Sequence, residues 1–196
     1  MATGPGGRGP APFSVGVFCG SRLGNNPGHG DAAVALGKAI ARQGWRLVYG
    51  GGDVGLMGVT ARAAVSAGAT VLGVITERLF DREVGKHDLS ELRVTVTMFE
   101  RKEILIRESD AFVVLPGGLG TLDEILDAVT LRQLGYHDKP IFLLDLGGYW
   151  RACQALFDQF VEAGFADPAA ARLHELVPDV ATAISRLECM RASRTG

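Results

Sequence analysis

With 196 residues the chain has room for one α/β domain with a substantial core, and too little for two ordinary ones. Hydrophobic residues at 47% against 21% charged exclude extensive disorder, and a net charge of −2 lacks the basic footprint of a nucleic-acid binder. No apolar run reaches the roughly 20 residues that a membrane span requires. Residues 1–12 are rich in Gly, Pro and Ala without an apolar h-region, and read as a flexible tail. A single domain is expected over 13–190, with a short tail at 191–196. In chain order the pattern predicts a strand at 14–19, a helix at 28–43, a strand at 46–49, a helix at 55–67 and a strand at 70–75. A charged, irregular segment at 77–91 follows as a candidate lid or rim. Beyond it come a strand at 92–96, a helix at 98–108, a strand at 111–115, a helix at 121–134, a strand at 141–145, and helices at 149–163 and 180–190. The runs Phe112-Val113-Val114-Leu115 and Ile141-Phe142-Leu143-Leu144 are continuously apolar, as strands buried on both faces are. Alternation of this kind predicts a Rossmann-like, doubly wound parallel sheet with helices on both faces.

Such sheets bind ligands beyond the carboxyl ends of their strands. Three Gly-rich segments fall there: Cys19-Gly20-Ser21-Arg22, the 50–58 loop with Gly51 and Gly52, and Pro116-Gly117-Gly118-Leu119-Gly120-Thr121. The last leads into a helix that opens with Leu122, Asp123 and Glu124. A strand, a Gly-rich turn and a helix N-terminus together form a phosphate cradle, and the carboxylates point to chemistry beside it. Thr121 and Glu124 also match a capping box, in which both side chains merely close the helix, and both readings stand. A first-turn carboxylate is favoured in its ionised form by the helix dipole. On the helix at 98–108, Arg101 and Lys102 fall on the side of Met98 and Leu105, which predicts a buried ion pair or an anion site, with snorkelling as the alternative.

Gly50, Gly52 and Gly55 satisfy G-x-G-x-x-G, with Glu77 placed as a ribose-binding acid would be. The match follows the second strand instead of the first, and is read as another backbone surface of the same cleft. Nucleophile elbow and P-loop motifs are absent. Cys19 ends a strand near the cleft and reads as packing. Three scattered cysteines fit a reducing cytoplasm, and the four histidines lack ligand spacing, so neither a metal nor a bound cofactor is expected.

The signature Pro-Gly-Gly-x-Gly-Thr-x-x-Glu at 116–124, with Met98-x-x-Arg101-Lys102 ahead of Ser109-Asp110-Ala111-Phe112, resembles the Lonely Guy family of cytokinin riboside 5′-monophosphate phosphoribohydrolases. The 50–58 loop and Gly135-Tyr136-His137-Asp138-Lys139-Pro140 support the resemblance, which covers 15–165. Leu119 stands where plant members usually have Tyr, and Asp123 where they often have Glu. The resemblance implies hydrolysis of the N-glycosidic bond of an adenosine-type 5′-monophosphate, giving free base and ribose 5-phosphate. It implies Arg101 and Glu124 as the catalytic pair. Glu83, Lys102, Gly118, Gly120, Thr121 and Thr130 would bind the nucleotide, and a homodimer or higher homo-oligomer is implied. Leu122, Ile125, Leu126 and Val129 on one side of the helix, with Leu131 and Leu134 on the other, agree with burial on two sides. The rival readings are an enzyme for plain AMP, a non-catalytic nucleotide or cofactor carrier, and an NAD enzyme built on 50–55.

Overall fold

A computed structural model describes residues 12–83 and 89–195. The expected tail at 1–12 falls almost wholly outside them. In chain order the elements are β1 Ser14–Phe18, α1 Gly28–Arg42, β2 Arg46–Tyr49, α2 Gly55–Ser66, β3 Val71–Thr76, α3 Glu77–Glu83, β4 Glu91–Thr95 and α4 Met98–Arg107. They continue as β5 Ala111–Val114, α5 Leu119–Gln133, β6 Ile141–Leu144, α6 Arg151–Glu162, β7 Glu175–Val177 and α7 Val180–Thr195. The strands lie in the order β4-β3-β2-β1-β5-β6-β7, and every pairing is parallel. The first four strands step outward in one direction from β1, and the last three in the other. The order therefore reverses between β1 and β5, the switch point at which such sheets open a crevice.

Alternate residues of the central strands feed two cores. Val15, Val17, Leu47, Tyr49, Ala111 and Val113 pack with Leu36 and Ile40 of α1, Ala61 of α2 and Leu187 of α7. On the other face Phe18, Val48, Phe112 and Val114 pack with Leu105 of α4, Ile125 and Val129 of α5 and Phe157 of α6. The continuous apolar run of β5 is thus buried on both faces, as its pattern implies. Among the described residues no helix is long and apolar enough to cross a membrane.

The structure adds two elements to the sequence reading. α3 occupies the first part of the charged segment; with Leu79 and Phe80 as its only apolar residues, it shows no helical stripe. β7 is a three-residue edge strand that opens on Glu175, too short to show a period. α7 runs to Thr195, where a tail from 191 was expected.

Phe112 is fully buried, stacked on Phe18 at 5.2 Å between ring centroids. Phe112→Ala is expected to lower stability by about 3–5 kcal/mol, measured by chemical denaturation.

Candidate active site

Three loops meet at the switch point and are tied by their backbones. The Gly20 N–H donates to the Pro116 carbonyl at 3.0 Å, and the Leu56 N–H to the Gly20 carbonyl at 3.0 Å. They line a cavity of about 830 Å³ together with Arg101, Glu124, Met57, Met98 and Tyr149.

α4 delivers Arg101 to this cavity. Thr97 caps α4 by accepting the Glu100 N–H at 3.1 Å, and Glu100 reaches back to the Val96 N–H at 3.2 Å. The Thr97 cap, with Glu100 holding the residue before it, fixes where the helix begins, and hence the face on which Arg101 emerges. The arginine is only 6% exposed. Its Nε donates to the Val74 carbonyl at 3.0 Å and its Nη2 to the Gly50 carbonyl at 3.4 Å, so the ends of β3 and β2 both hold it. A Cβ at position 50 would strike Nη2, which requires glycine there. With its direction fixed, the guanidinium places Nη2 3.5 Å from Oε1 of Glu124.

α5 delivers Glu124. The helix starts at Leu119 with Gly118 as its N-cap residue, and no side chain caps it. The capping box read at Thr121 and Glu124 is not formed; Thr121 is buried within the first turn and Glu124 faces the cavity. Uncapped first-turn N–H groups carry the positive end of the helix dipole, which suits an anion. Burial pushes the Glu124 carboxyl up to about 7; Arg101 pulls it back and neighbouring Asp123 adds to the rise. The dipole alone predicts a firmly ionised group, but the loss of water outweighs it. Glu124 is therefore poised to exchange a proton near neutrality.

The family described as "Possible lysine decarboxylase" matches residues 57–187. A probable cytokinin riboside 5′-monophosphate phosphoribohydrolase of Oryza sativa subsp. japonica is 43% identical over 182 residues, covering 93% of this chain and 79% of the relative. A cytokinin riboside 5′-monophosphate phosphoribohydrolase of Arabidopsis thaliana is 41% identical over 172 residues, covering 88% of this chain and 81% of its own. This chain belongs to the Lonely Guy family. Among solved structures, the molybdenum cofactor carrier protein of Chlamydomonas reinhardtii matches with a TM-score of 0.72 at 26% identity, over 92% of this chain and 99% of the carrier.

In this Lonely Guy chain, Gly20, Ser21, Arg101, Gly118, Leu119, Gly120, Thr121, Asp123 and Glu124 all line the cavity. Others expected there do not. Lys102 turns to the seam between α4 and α5, where its Nζ meets Asp127 at 2.6 Å and Asp123 at 3.1 Å. Partial burial pulls its pKa down, but those carboxylates hold it above the usual lysine value. Leu122 is half-buried outside the cavity, and Thr130 is exposed more than two turns further along α5. Gly51 and Gly52 are buried beneath the lining. The Glu83 side chain lies outside the described residues. Cys19 lies in the wall, where burial and the nearby Glu124 charge raise its thiol far above the ordinary range, so it packs and does not attack.

The sequence reading missed His29, Leu79 and Tyr149 in the cavity wall. Arg22 also lines it, and among the described residues no carboxylate pairs with it. No motif flags His29, Leu79 or Tyr149, whose neighbours in the wall are distant in sequence, whereas Arg22 belongs to the segment 19–22 already placed at the strand ends.

A carboxyl held near 7, above its ordinary 4.5, leaves stability untouched below the lower value. Stability then falls as pH rises through that interval, by about 3 kcal/mol once ionisation is complete. Glu124→Gln keeps the shape without the charge. It is expected to unfold at a higher temperature than the parent well above pH 7, with the gap closing towards pH 4.5, measured by thermal unfolding across pH.

Proposed function

We propose that this chain hydrolyses the N-glycosidic bond of adenosine-type nucleoside 5′-monophosphates, releasing the free base and ribose 5-phosphate. The observation that carries the reading is the 3.5 Å pairing of buried Arg101 with Glu124 at the edge of a Gly-rich anion cradle. The names of the relatives support a hydrolytic enzyme with a cytokinin riboside 5′-monophosphate as substrate class.

In this reading the 5′-phosphate lies on the first turn of α5, which directs the sugar along the cavity towards Glu124. Cleavage of an N-glycosidic bond develops oxocarbenium-like positive charge on the ribose, as in glycoside hydrolysis. Ionised Glu124 stabilises that charge and accepts a proton from the attacking water. Arg101 keeps a fraction of Glu124 ionised and holds it in place. Because the guanidinium is tied to two strand ends, its position does not have to reorganise during the reaction. The carrier alternative draws on the likeness to the molybdenum cofactor carrier. A carrier needs the cradle, yet has no use for a carboxyl poised near 7 beside a buried arginine.

The chain also forms a homodimer or higher homo-oligomer in this reading. Phe99 on α4 is 82% exposed, and Leu126 on α5 and Leu134 just after it are 39% and 66% exposed, apolar surface that a second copy would cover. Light scattering at micromolar concentration is expected to give twice the chain mass or a higher multiple of it; a monomer would remove the assembly.

Incubation with AMP and with N6-isopentenyl-AMP, followed by chromatography, is expected to yield free base from the N6-modified nucleotide. AMP tests the plain-substrate reading. Glu124→Ala should lower turnover by at least about 10²-fold while nucleotide affinity largely survives. The parent's kcat/KM should fall on the acid side of an apparent pKa near 7. Binding of both nucleotides without base release would overturn the hydrolase in favour of the carrier.

A further inference from the structure

Three consecutive carbonyls of the turn after β5 each accept a hydrogen bond. Pro116 O takes the Gly20 N–H at 3.0 Å, and Gly118 O takes the Leu122 N–H at 3.0 Å, the first bond of α5. Between them, Gly117 O accepts the Tyr149 hydroxyl at 2.6 Å. The outer two donors are backbone. The middle one is a side chain from the turn between β6 and α6, 32 residues away.

Tyr149 is placed for this contact by its surroundings. Its ring meets His29 edge-on at 5.7 Å between centroids and Trp150 at 5.0 Å. The Trp150 N–H donates to the Asp145 carboxylate at 2.8 Å, which ties this turn to the end of β6.

The peptide that Tyr149 touches joins two glycines. In a trans peptide the C=O and the following N–H point in opposite directions, so fixing Gly117 O also fixes the Gly118 N–H. Gly118 has φ −97° and ψ −151°. A half-turn of the 117–118 peptide would carry its φ to positive values, which any other residue resists and glycine accepts. The flip would present a carbonyl oxygen where an N–H had been. For a phosphate, a donor would become a repelling acceptor.

We propose that Tyr149 is a positioning residue: its hydroxyl latches the Gly117–Gly118 peptide so that the Gly118 N–H serves the substrate's phosphate. The latch rests on the nucleotide reading above and extends it to a residue outside the family signature. It acts on the phosphate end of the ligand and leaves the base and sugar alone.

The test is Tyr149→Phe, which removes one oxygen from a side chain 44% exposed and keeps both ring contacts. Titration calorimetry with AMP, ribose 5-phosphate and adenosine, run on Glu124→Gln protein with and without Tyr149→Phe so that no nucleotide is consumed, reads the two ends separately. The variant is expected to lose about tenfold in affinity for AMP and for ribose 5-phosphate, and nothing for adenosine. In turnover, KM should rise with kcat largely kept. Equal weakening of AMP and adenosine would mean that Tyr149 only packs, and would overturn the latch. Unchanged phosphate affinity, or a parent that does not distinguish AMP from adenosine, would overturn it too. Because binding is measured without turnover, base release with an intact preference for AMP in Tyr149→Phe sinks the latch and leaves the hydrolase standing. A lost preference in a protein that never releases base does the reverse.

Discussion

A guanidinium buried at the carboxyl edge of a parallel sheet dictates much of the surrounding design. Arg101 cannot shed its charge, so each N–H it brings inside must find an acceptor. β3 supplies the Val74 carbonyl, the residue after β2 supplies that of Gly50, and α5 supplies the Glu124 carboxylate. Each partner comes from a different element. β2 must be followed by a glycine to admit the arginine, β3 must offer it the Val74 carbonyl, and α5 must start where Glu124 reaches inward. The cavity is what remains once these demands are met.

A second charge group lies behind the first. Lys102, one residue on from Arg101, is taken up by Asp123 and Asp127 of α5, and its Nζ stands 5.9 Å from the Phe99 ring centroid. α4 and α5 thereby join through ion pairs on the outside and through Arg101 and Glu124 on the inside. Asp123 and Asp127 raise the Glu124 pKa and Lys102 lowers it, so the outer group trims the inner one. The proton affinity of Glu124 is a property of the helix pair as a unit.

Much of the fold was legible because buried parallel strands leave continuous apolar runs, and β5 and β6 have nothing else in them. Arg101 and Lys102 were both legible as cations on an apolar side that enter ion pairs, but the resemblance, not the helix face, put Lys102 at the cavity, and its acidic partners on α5 hold it in the seam instead. The pattern Thr-x-x-Glu occurs at 97–100 and again at 121–124. At the first, Thr97 caps the helix and Glu100 accepts from Val96, the residue before the cap. At the second no such cap forms, because α5 begins two residues earlier and leaves Thr121 inside its first turn. Spacing alone cannot separate the two, since the difference lies in where the backbone first turns. Tyr149 left no trace at all. In sequence it reads as the first residue of a helix, and its importance comes from a backbone oxygen 32 residues away.

Cys19 carries a consequence for how this site meets reactive molecules. Oxidants and electrophilic reagents attack the thiolate, and a thiol both buried and facing a carboxylate rarely becomes one. A sulfur sits in the cavity wall, yet as a buried thiol it offers peroxide and thiol-directed reagents little thiolate to attack. Selective ligands for this cleft must instead compete for the anion cradle and for the ion pair beside it.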